Sequence, residues 1–142
     1  MCLVTNQKKA KILKEDLTVY KIVVNRNGKI YAWMYDDYQY EVNKLYKQSM
    51  SVDNIPGSVM DEWVYYAYNI KTKNWKNSKF KKYRNLNHIH EGFHSSLTIE
   101  RLGNVNETAI YRCVIPKGSE VFKDKTGLIV SNQIILKEKI CA

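Results

Sequence analysis

Residues 17–35 have the sequence LTVYKIVVNRNGKIYAWMY, in which two runs of β-branched and aromatic residues flank an Asn-Gly pair. Such runs favour extended strands. Asn-Gly is the pair that two-residue hairpin loops prefer, because both residues tolerate a positive φ. We therefore predict a β-hairpin with strands over Leu17–Val24 and Lys29–Tyr35, joined through Asn25-Arg26-Asn27-Gly28.

The remaining chain alternates short apolar runs with Gly, Pro, Asn and Asp, a pattern typical of a strand-rich fold. Two helical segments are also predicted: a turn or two within Lys8–Asp16, and a short helix over Ser95–Leu102 that Gly103-Asn104 would end. The expected fold class is α+β, a mainly antiparallel twisted sheet or partly closed barrel with one or two short helices. Further strands are predicted over Lys44–Ser49, Glu62–Ile70 (where a helix also fits), His88–His94, Ala109–Ile115, Glu120–Phe122 and Leu128–Leu136.

The length of 142 residues and the hydrophobic content of 44% fit one domain over residues 1–142. Residues 71–87 form a basic loop or insertion within it. Cys2, Cys113 and Cys141 are far apart and odd in number, so they suggest no disulfide framework or zinc knuckle. The N-terminus lacks the apolar segment of a secretory signal, and no apolar run approaches the roughly 20 residues that span a bilayer. We expect a cytoplasmic protein without a membrane partner.

The net charge of +9, from 23 Lys and Arg against 14 Asp and Glu, favours a polyanionic partner. The basic loop has no acidic residue, and aromatic side chains interrupt its charges. Such a segment can bind phosphates through its cations and stack rings on exposed bases. The candidate binding residues of the loop are Lys71, Lys73, Trp75, Lys76, Lys79, Phe80, Lys81, Lys82, Tyr83 and Arg84.

The segment His94-Ser95-Ser96 is a second part of this predicted site. If it leads from a strand into a helix, its backbone N–H groups can hold a phosphate. The function predicted from these features is that of a non-enzymatic binding protein for a nucleotide or a nucleic acid.

Three histidines lie within seven residues, at His88, His90 and His94. On a strand, His88 and His90 share a face, which makes the three imidazoles candidate metal ligands. Half-exposed histidines are the commoner arrangement, so we expect no metal and no other cofactor.

The sequence favours a binding protein over an enzyme. It contains neither a Gly-x-Ser-x-Gly elbow nor a P-loop. Cys113 lies in the middle of a predicted strand, where a buried and inert thiol is the usual outcome. A pairing of Cys113 with His94 in three dimensions is the remaining arrangement for nucleophilic chemistry. No catalytic residue is assigned.

The succession of Val19-Tyr20-Lys21, Gly92-Phe93-His94-Ser95-Ser96, Ile115-Pro116-Lys117-Gly118-Ser119 and Val130–Leu136 resembles the layout of ADP-ribosyltransferases. That family has an aromatic-Arg strand, a Ser-Thr-Ser strand and a final strand with the catalytic Glu. Lys21 would replace the Arg, and Gln133 falls near the position of the Glu. Since the carboxylate is missing, the resemblance implies a nucleotide-shaped groove more readily than a transferase; a divergent enzyme of this type is a second alternative.

The motifs Gly-Phe-His-Ser, Cys-Val-Ile-Pro-Lys-Gly-Ser and Val-Ser-Asn-Gln-Ile also resemble those of small phage and prophage proteins. This resemblance implies an accessory role, such as antagonism of a host defence. The first alternative function is therefore a protein–protein inhibitor of a host factor. Tyrosine is favoured at interface hot spots, and the contact face would be formed by Tyr31, Tyr35, Tyr38, Tyr40, Tyr65, Tyr66 and Tyr68.

Overall fold

The computed structural model describes residues 3–33, 38–55, 86–99 and 108–141, and these residues form β-strands without an α-helix. In chain order the strands are β1 (Leu3–Thr5), β2 (Lys11–Ile12), β3 (Leu17–Arg26), β4 (Lys29–Ala32), β5 (Gln39–Tyr40), β6 (Leu45–Lys47), β7 (Val52–Ile55), β8 (Leu86–Ile89), β9 (Phe93–Ser96), β10 (Thr108–Ile115), β11 (Glu120–Lys123), β12 (Leu128–Ser131) and β13 (Gln133–Cys141).

The strands form two open antiparallel sheets. The larger sheet has ten strands in the order β2-β11-β12-β9-β3-β10-β13-β6, with β4 paired to β3 and β5 paired to β4. The smaller sheet has the order β1-β8-β7. The fold class predicted from the sequence was therefore wrong: the described part of the chain is nearly all sheet, not α+β, and its sheets do not close into a barrel.

The predicted hairpin is confirmed, with a second strand that ends at Ala32 and does not include Trp33. Arg26 pairs with Lys29, which leaves Asn27 and Gly28 as a two-residue loop. Their φ angles of 52° and 76° place both residues in the left-handed region, as a type I′ turn requires. The first strand of this hairpin, β3, also pairs with β10 from Leu17↔Ile115 to Val24↔Thr108, and the two strands form the centre of the larger sheet.

The main hydrophobic core covers one face of the larger sheet. Val19 and Val23 of β3 and Cys113 and Ile115 of β10 are fully buried there, which follows from the two-residue alternation of side chains along a strand. A second cluster joins the two sheets, with Leu3 and Ile89 of the smaller sheet packed near Phe122 and Val130 of the larger sheet.

Both predicted helical segments were wrong within the described residues. The segment from Lys8 to Asp16 contains bends at Lys9, Lys14 and Glu15 but no helix, and Lys11–Ile12 pairs with β11. Ser95 and Ser96 belong to β9 instead of opening a helix. Short polar segments of this kind are extended here because they lie beside strands that are distant in sequence, and pairing with those strands outweighs local propensity.

Two predicted strands are each divided in two. The predicted strand His88–His94 is broken by a turn at Gly92, whose φ of 124° is incompatible with a continuous strand. The predicted strand Leu128–Leu136 is broken at Asn132, where the chain passes from β12 to β13. The predicted strand Glu62–Ile70 and residues 71–85 of the predicted loop lie outside the described residues. The last two residues of the predicted loop, 86–87, belong to β8.

Candidate functional site

The ten candidate residues of the predicted basic loop, Lys71 through Arg84, lie outside the described residues. Their role in binding stays a prediction.

The second part of the predicted site, His94-Ser95-Ser96, lies in β9 and pairs with β12. Ser95 is 3% exposed and Ser96 is fully buried. The Ser96 hydroxyl donates to the Thr98 carbonyl at 2.8 Å. Because Ser95 and Ser96 belong to a strand, no helix N-terminus lies at these two residues. The binding role of His94, Ser95 and Ser96 stays a prediction.

Two of the three histidines come together across one face of the smaller sheet. The ring centroids of His88 and His90 are 3.9 Å apart, and Nε2 of His90 lies 2.6 Å from a carboxylate oxygen of Asp53 on β7. Burial and the neighbouring His90 lower the pKa of His88, and the negative charge of Asp53 opposes this lowering. His94 belongs to the larger sheet. Among the described residues, no three His, Cys, Asp or Glu side chains are placed to hold a metal ion.

A lysine occupies the main core. Lys21 lies on the same face of β3 as Val19 and Val23 and is 9% exposed. Its Nζ donates to the His94 carbonyl at 2.7 Å and lies 5.9 Å from the centre of the Tyr40 ring. Burial lowers the pKa of Lys21 to about 8, although its interaction with Cys113 opposes this shift.

The position of Lys21 follows from the divergence of two strands. The described pairing of β3 with β9 is limited to Tyr20↔Ser96, and from Val23 onward the same edge of β3 pairs with β4. Lys21 lies between these two partners. Its ammonium group gives the His94 carbonyl a donor at the point where the β3–β9 ladder stops, and an unpaired buried carbonyl there would be destabilising.

The residues behind the resemblance to ADP-ribosyltransferases are only partly brought together. Lys21 contacts the strand that contains Phe93 and His94. Gln133 begins β13 and lines a groove whose lining includes neither Lys21 nor His94.

Cys113 and His94 do not form a nucleophilic pair. Cys113 packs in the main core, where burial raises the pKa of its thiol to about 12. His94 is paired across the ladder with Val130, so its side chain shares the opposite face of the sheet with the second cluster. Burial, followed by the charge of Lys21, lowers the pKa of His94 to about 4, although hydrogen bonds to the backbone of Gly92 and Ile89 oppose this shift.

The tyrosines proposed as a contact face are divided between the core and undescribed segments. Tyr40 is 4% exposed and packs against Tyr38 and Tyr46, with ring centroids 5.1 and 5.0 Å away. Phe93 closes the cluster, 6.4 Å from Tyr40. Tyr31 is half-buried on β4. Tyr38 and Tyr40 thus pack in and against the main core; Tyr35, Tyr65, Tyr66 and Tyr68 lie outside the described residues.

A basic surface that was not predicted from the sequence lies at one edge of the larger sheet. Residues 7–16 run antiparallel beside residues 117–123, joined by the β2–β11 ladder and by the backbone bonds between Leu13 and both Gly118 and Ser119. Six exposed lysines lie on this double strip, which we call the lysine edge: Lys8, Lys9, Lys11, Lys14, Lys117 and Lys123. The spacing of the first four lysines in the sequence was the available signal.

The side chain of Gln7 attaches the N-terminal half of the lysine edge to the sheet. Its amide nitrogen donates to the carbonyls of Val121 at 2.9 Å and Lys9 at 2.7 Å. Its amide oxygen accepts from the Lys123 N–H at 3.1 Å. A side chain thus supplies the hydrogen bonds that a backbone partner would give to β11.

A groove of about 640 Å³ opens beside the lysine edge. One wall is formed by residues of the segment Lys47–Val52. The other wall contains Phe122 of β11 and Ala10 of the N-terminal strip, residues 7–16. The segment is attached to both sheets, since the Gln48 N–H donates to the Asn132 carbonyl at 2.9 Å and the Ser51 carbonyl accepts from the His90 N–H at 3.3 Å.

Comparison of the chain with protein-family models, with curated proteins and with solved structures finds no match. Within the described ranges, no helix has the length and apolar character needed to cross a membrane.

Proposed function

We propose that this protein is a non-enzymatic binding protein, of the phage or mobile-element type that its motifs resemble, and that it engages an anionic partner, a nucleic acid or a nucleotide. The observation that carries the proposal is the lysine edge, where six exposed lysines lie on two adjacent segments. Three acidic residues, Glu15, Asp16 and Glu120, lie on the same strip, so the positive charge predominates.

The arrangement of the lysine edge suits a linear polyanion. Adjacent strands lie about 4.8 Å apart and residues rise about 3.3 Å along each strand, so the lysines of two paired segments can follow a phosphate backbone. Neutralised phosphates release condensed counterions, and affinity then falls steeply with salt. The basic loop over residues 71–84 would extend this surface if it lies on the same side of the molecule.

An experiment with charge-reversal variants tests the proposal. The first variant combines Lys9→Glu, Lys11→Glu and Lys123→Glu on the lysine edge. The matched control combines Lys29→Glu, Lys44→Glu and Lys139→Glu, which are exposed lysines on β4, before β6 and on β13. Both change the net charge equally. Binding of a labelled oligonucleotide is measured by fluorescence anisotropy over a series of salt concentrations.

We expect the edge variant to reduce the steepness of log K against log salt by about 2 to 3, since three phosphate contacts are lost, and the control to keep the wild-type slope. Equal losses in the two variants would mean that net charge, not the lysine edge, attracts the partner. If the wild type binds no polyanion, the proposal fails, and the edge lysines serve only to prevent pairing between sheets. Lys79→Glu, Lys81→Glu and Lys82→Glu together test the predicted loop in the same assay.

A further inference from the structure

We propose that Asn27 is a site of spontaneous covalent modification, and that its product prevents the hairpin of β3 and β4 from closing again. The side-chain amide of Asn27 is lost as ammonia when the hairpin opens, and an isoaspartate forms that the closed loop does not accommodate. This inference is independent of the proposed function. It follows from the chemistry of one residue pair and from the backbone geometry of the loop that contains it.

The residue pair Asn27-Gly28 combines a reactive side chain with an accessible backbone nitrogen. It is the sole Asn-Gly pair of the sequence, and both residues are exposed at the tip of the hairpin. A Cβ on Gly28 would meet nothing within 4 Å, so the space beside its backbone is open. Glycine also has the greatest backbone freedom of any residue, so in an open chain its nitrogen reaches the preceding side chain most readily.

The modification is an attack of the Gly28 backbone nitrogen on the Asn27 side chain. The nitrogen gives its proton to hydroxide and forms a bond to Cγ of Asn27, the bond from Cγ to Nδ2 breaks, and Nδ2 leaves as ammonia. Water then opens the resulting five-membered ring. Opening at Cγ gives an aspartate, whereas opening at the main-chain carbonyl gives an isoaspartate, whose main chain runs through Cβ and Cγ. One water enters and one ammonia leaves, so nothing is oxidised or reduced.

The closed hairpin keeps the reacting atoms apart. Ring closure requires the Gly28 nitrogen to lie beside Cβ of Asn27, viewed along the Cα–C bond. Asn27 has a φ of 52°, and the ψ of this position in a type I′ turn is about +30°, which directs the following nitrogen away from Cβ. The pair Arg26↔Lys29 closes the loop in this geometry. The reaction therefore needs the hairpin to open.

The hairpin is placed to open at its tip while the centre of the sheet stays intact. β4 pairs with β3 and β5, and among the described strands β5 pairs with β4 alone, so β4 and β5 form a branch of the larger sheet. The four residues from Arg26 to Lys29 are exposed, and burial begins at Ile30. Exposed loop tips of this kind open at a small fraction of the free energy of global unfolding.

The isoaspartate product is incompatible with the closed loop because it adds one carbon to the main chain. A two-residue loop of this type fixes the strand register only with both residues in the left-handed region, and the longer main chain breaks the pair Arg26↔Lys29. An aspartate keeps the loop, since Asp-Gly suits the same turn. The isoaspartate should therefore loosen β4, and with β4 the strand β5, whose Tyr40 packs in the main core.

The first experiment compares the modification in the folded and the unfolded protein. The full chain is incubated at mildly alkaline pH in water enriched in a heavy oxygen isotope, with and without guanidinium chloride, and loss of each amide is followed by peptide mass spectrometry. Tyr31→Gly weakens β4 because glycine disfavours a strand interior. Asn27→Gly keeps a compatible Gly-Gly loop without the amide. Asn43 is an internal control, since it is exposed with a φ of 64° but the side chain of Lys44 hinders the following nitrogen.

We expect Asn27 to lose its amide at least about tenfold faster in guanidinium chloride than in the folded protein, because the closed loop separates the reacting atoms. Folded Tyr31→Gly should react faster than the folded wild type, and Asn43 should react more slowly than Asn27 in denaturant. Asn27→Gly should show no loss at this position. Equal rates in the folded and unfolded wild type, or no loss at Asn27 in either state, would overturn the inference.

The second experiment examines the modified protein. Ion exchange separates the products, which carry one more negative charge, and amide hydrogen exchange is measured on each, with Asn27→Asp as the reference for the aspartate product. The isoaspartate product should exchange faster than the wild type in residues 29–32 and 39–40, whereas Asn27→Asp should resemble the wild type and β10 should stay protected in both. Unchanged exchange of residues 29–32 in the isoaspartate product would show that the hairpin closes around it, and would reject the proposal.

Discussion

Lys21 is a charged residue at a core position between Val19 and Val23. Because it is buried, the free energy of unfolding of the protein should change with pH in the alkaline range. The folded state lowers the pKa of this ammonium from 10.5 to about 8. Between these values the unfolded chain binds a proton that the folded chain does not, so the free energy of unfolding rises with pH through this window. The full gain is about 3 kcal/mol.

Lys21→Met has no such group and should not show this gain. We expect the free energy of unfolding of the wild type to rise relative to that of Lys21→Met as pH rises from about 8 to 10.5. Urea titrations of both proteins across that range measure it. In this range Cys113 and Tyr40 lose protons in the unfolded chain of both proteins, because burial raises the pKa of each in the folded state, so taking the difference cancels most of their contribution. A constant difference would show that Lys21 does not lose its proton on folding in this range.

Alanine substitutions at two glycines with a positive φ, Gly28 and Gly92, distinguish the cost of backbone strain from the cost of overpacking. A Cβ on Gly92 would lie 2.5 Å from the Cγ1 of Val130 and 3.2 Å from the carbonyl oxygen of Ser131, whereas a Cβ on Gly28 would meet nothing within 4 Å. Gly28→Ala adds mainly the strain of a left-handed residue, about 1 kcal/mol. Gly92→Ala adds overpacking against β12 as well, for a total of about 2–4 kcal/mol. Chemical denaturation of both variants should show this order, and equal losses would contradict the packing argument.

At the scale of elements, the Gln7 side chain adds two hydrogen bonds to the backbone pairing that attaches the N-terminal strip (residues 7–16) to β11. Gln7→Ala removes three hydrogen bonds and leaves the Lys123 N–H without its acceptor, which should reduce stability by about 1–3 kcal/mol. Amide hydrogen exchange of residues 8–14 should accelerate, while β3 and β10 remain protected because they form the centre of the sheet. Gln39→Ala, at an exposed position on β5, is the control. Unchanged exchange in residues 8–14 would show that the β2–β11 ladder alone holds the strip.

The elements that the sequence predicts well are those whose signals are local. The hairpin at Asn27-Gly28 is specified by turn chemistry within four residues, and β10 by a run rich in β-branched residues with one tyrosine. The pairing of β3 with β10 joins residues far apart in sequence, and no local pattern specifies it. Neither helix that the sequence predicts exists in the described residues, because pairing with distant strands decides both segments. The lysine edge could be found only in part from sequence, since Lys8–Lys14 are adjacent there whereas Lys117 and Lys123 join them through the fold.

At the scale of the whole molecule, the contact between the two sheets includes a histidine. His94 shares a sheet face with Val130, which packs against Leu3 and Ile89 of the smaller sheet. Its Nδ1 lies 3.3 Å from the Gly92 carbonyl, and its Nε2 is buried. Protonation would therefore place a buried positive charge at this contact, which is the physical reason that its pKa falls from 6.5 to about 4.

This histidine should make the whole molecule less stable in mild acid. Between pH 6.5 and about 4 the unfolded chain binds a proton at His94 that the folded chain excludes, so the free energy of unfolding falls as pH falls, by about 3 kcal/mol in total. His94→Gln removes the titrating group, and urea titrations from neutral pH to about 4 should show a weaker decline than the wild type. Carboxylates also titrate near the acid end, but they do so in both proteins. Parallel declines in wild type and variant would mean that His94 is protonated in the folded state, and that the contact between the sheets admits the charge.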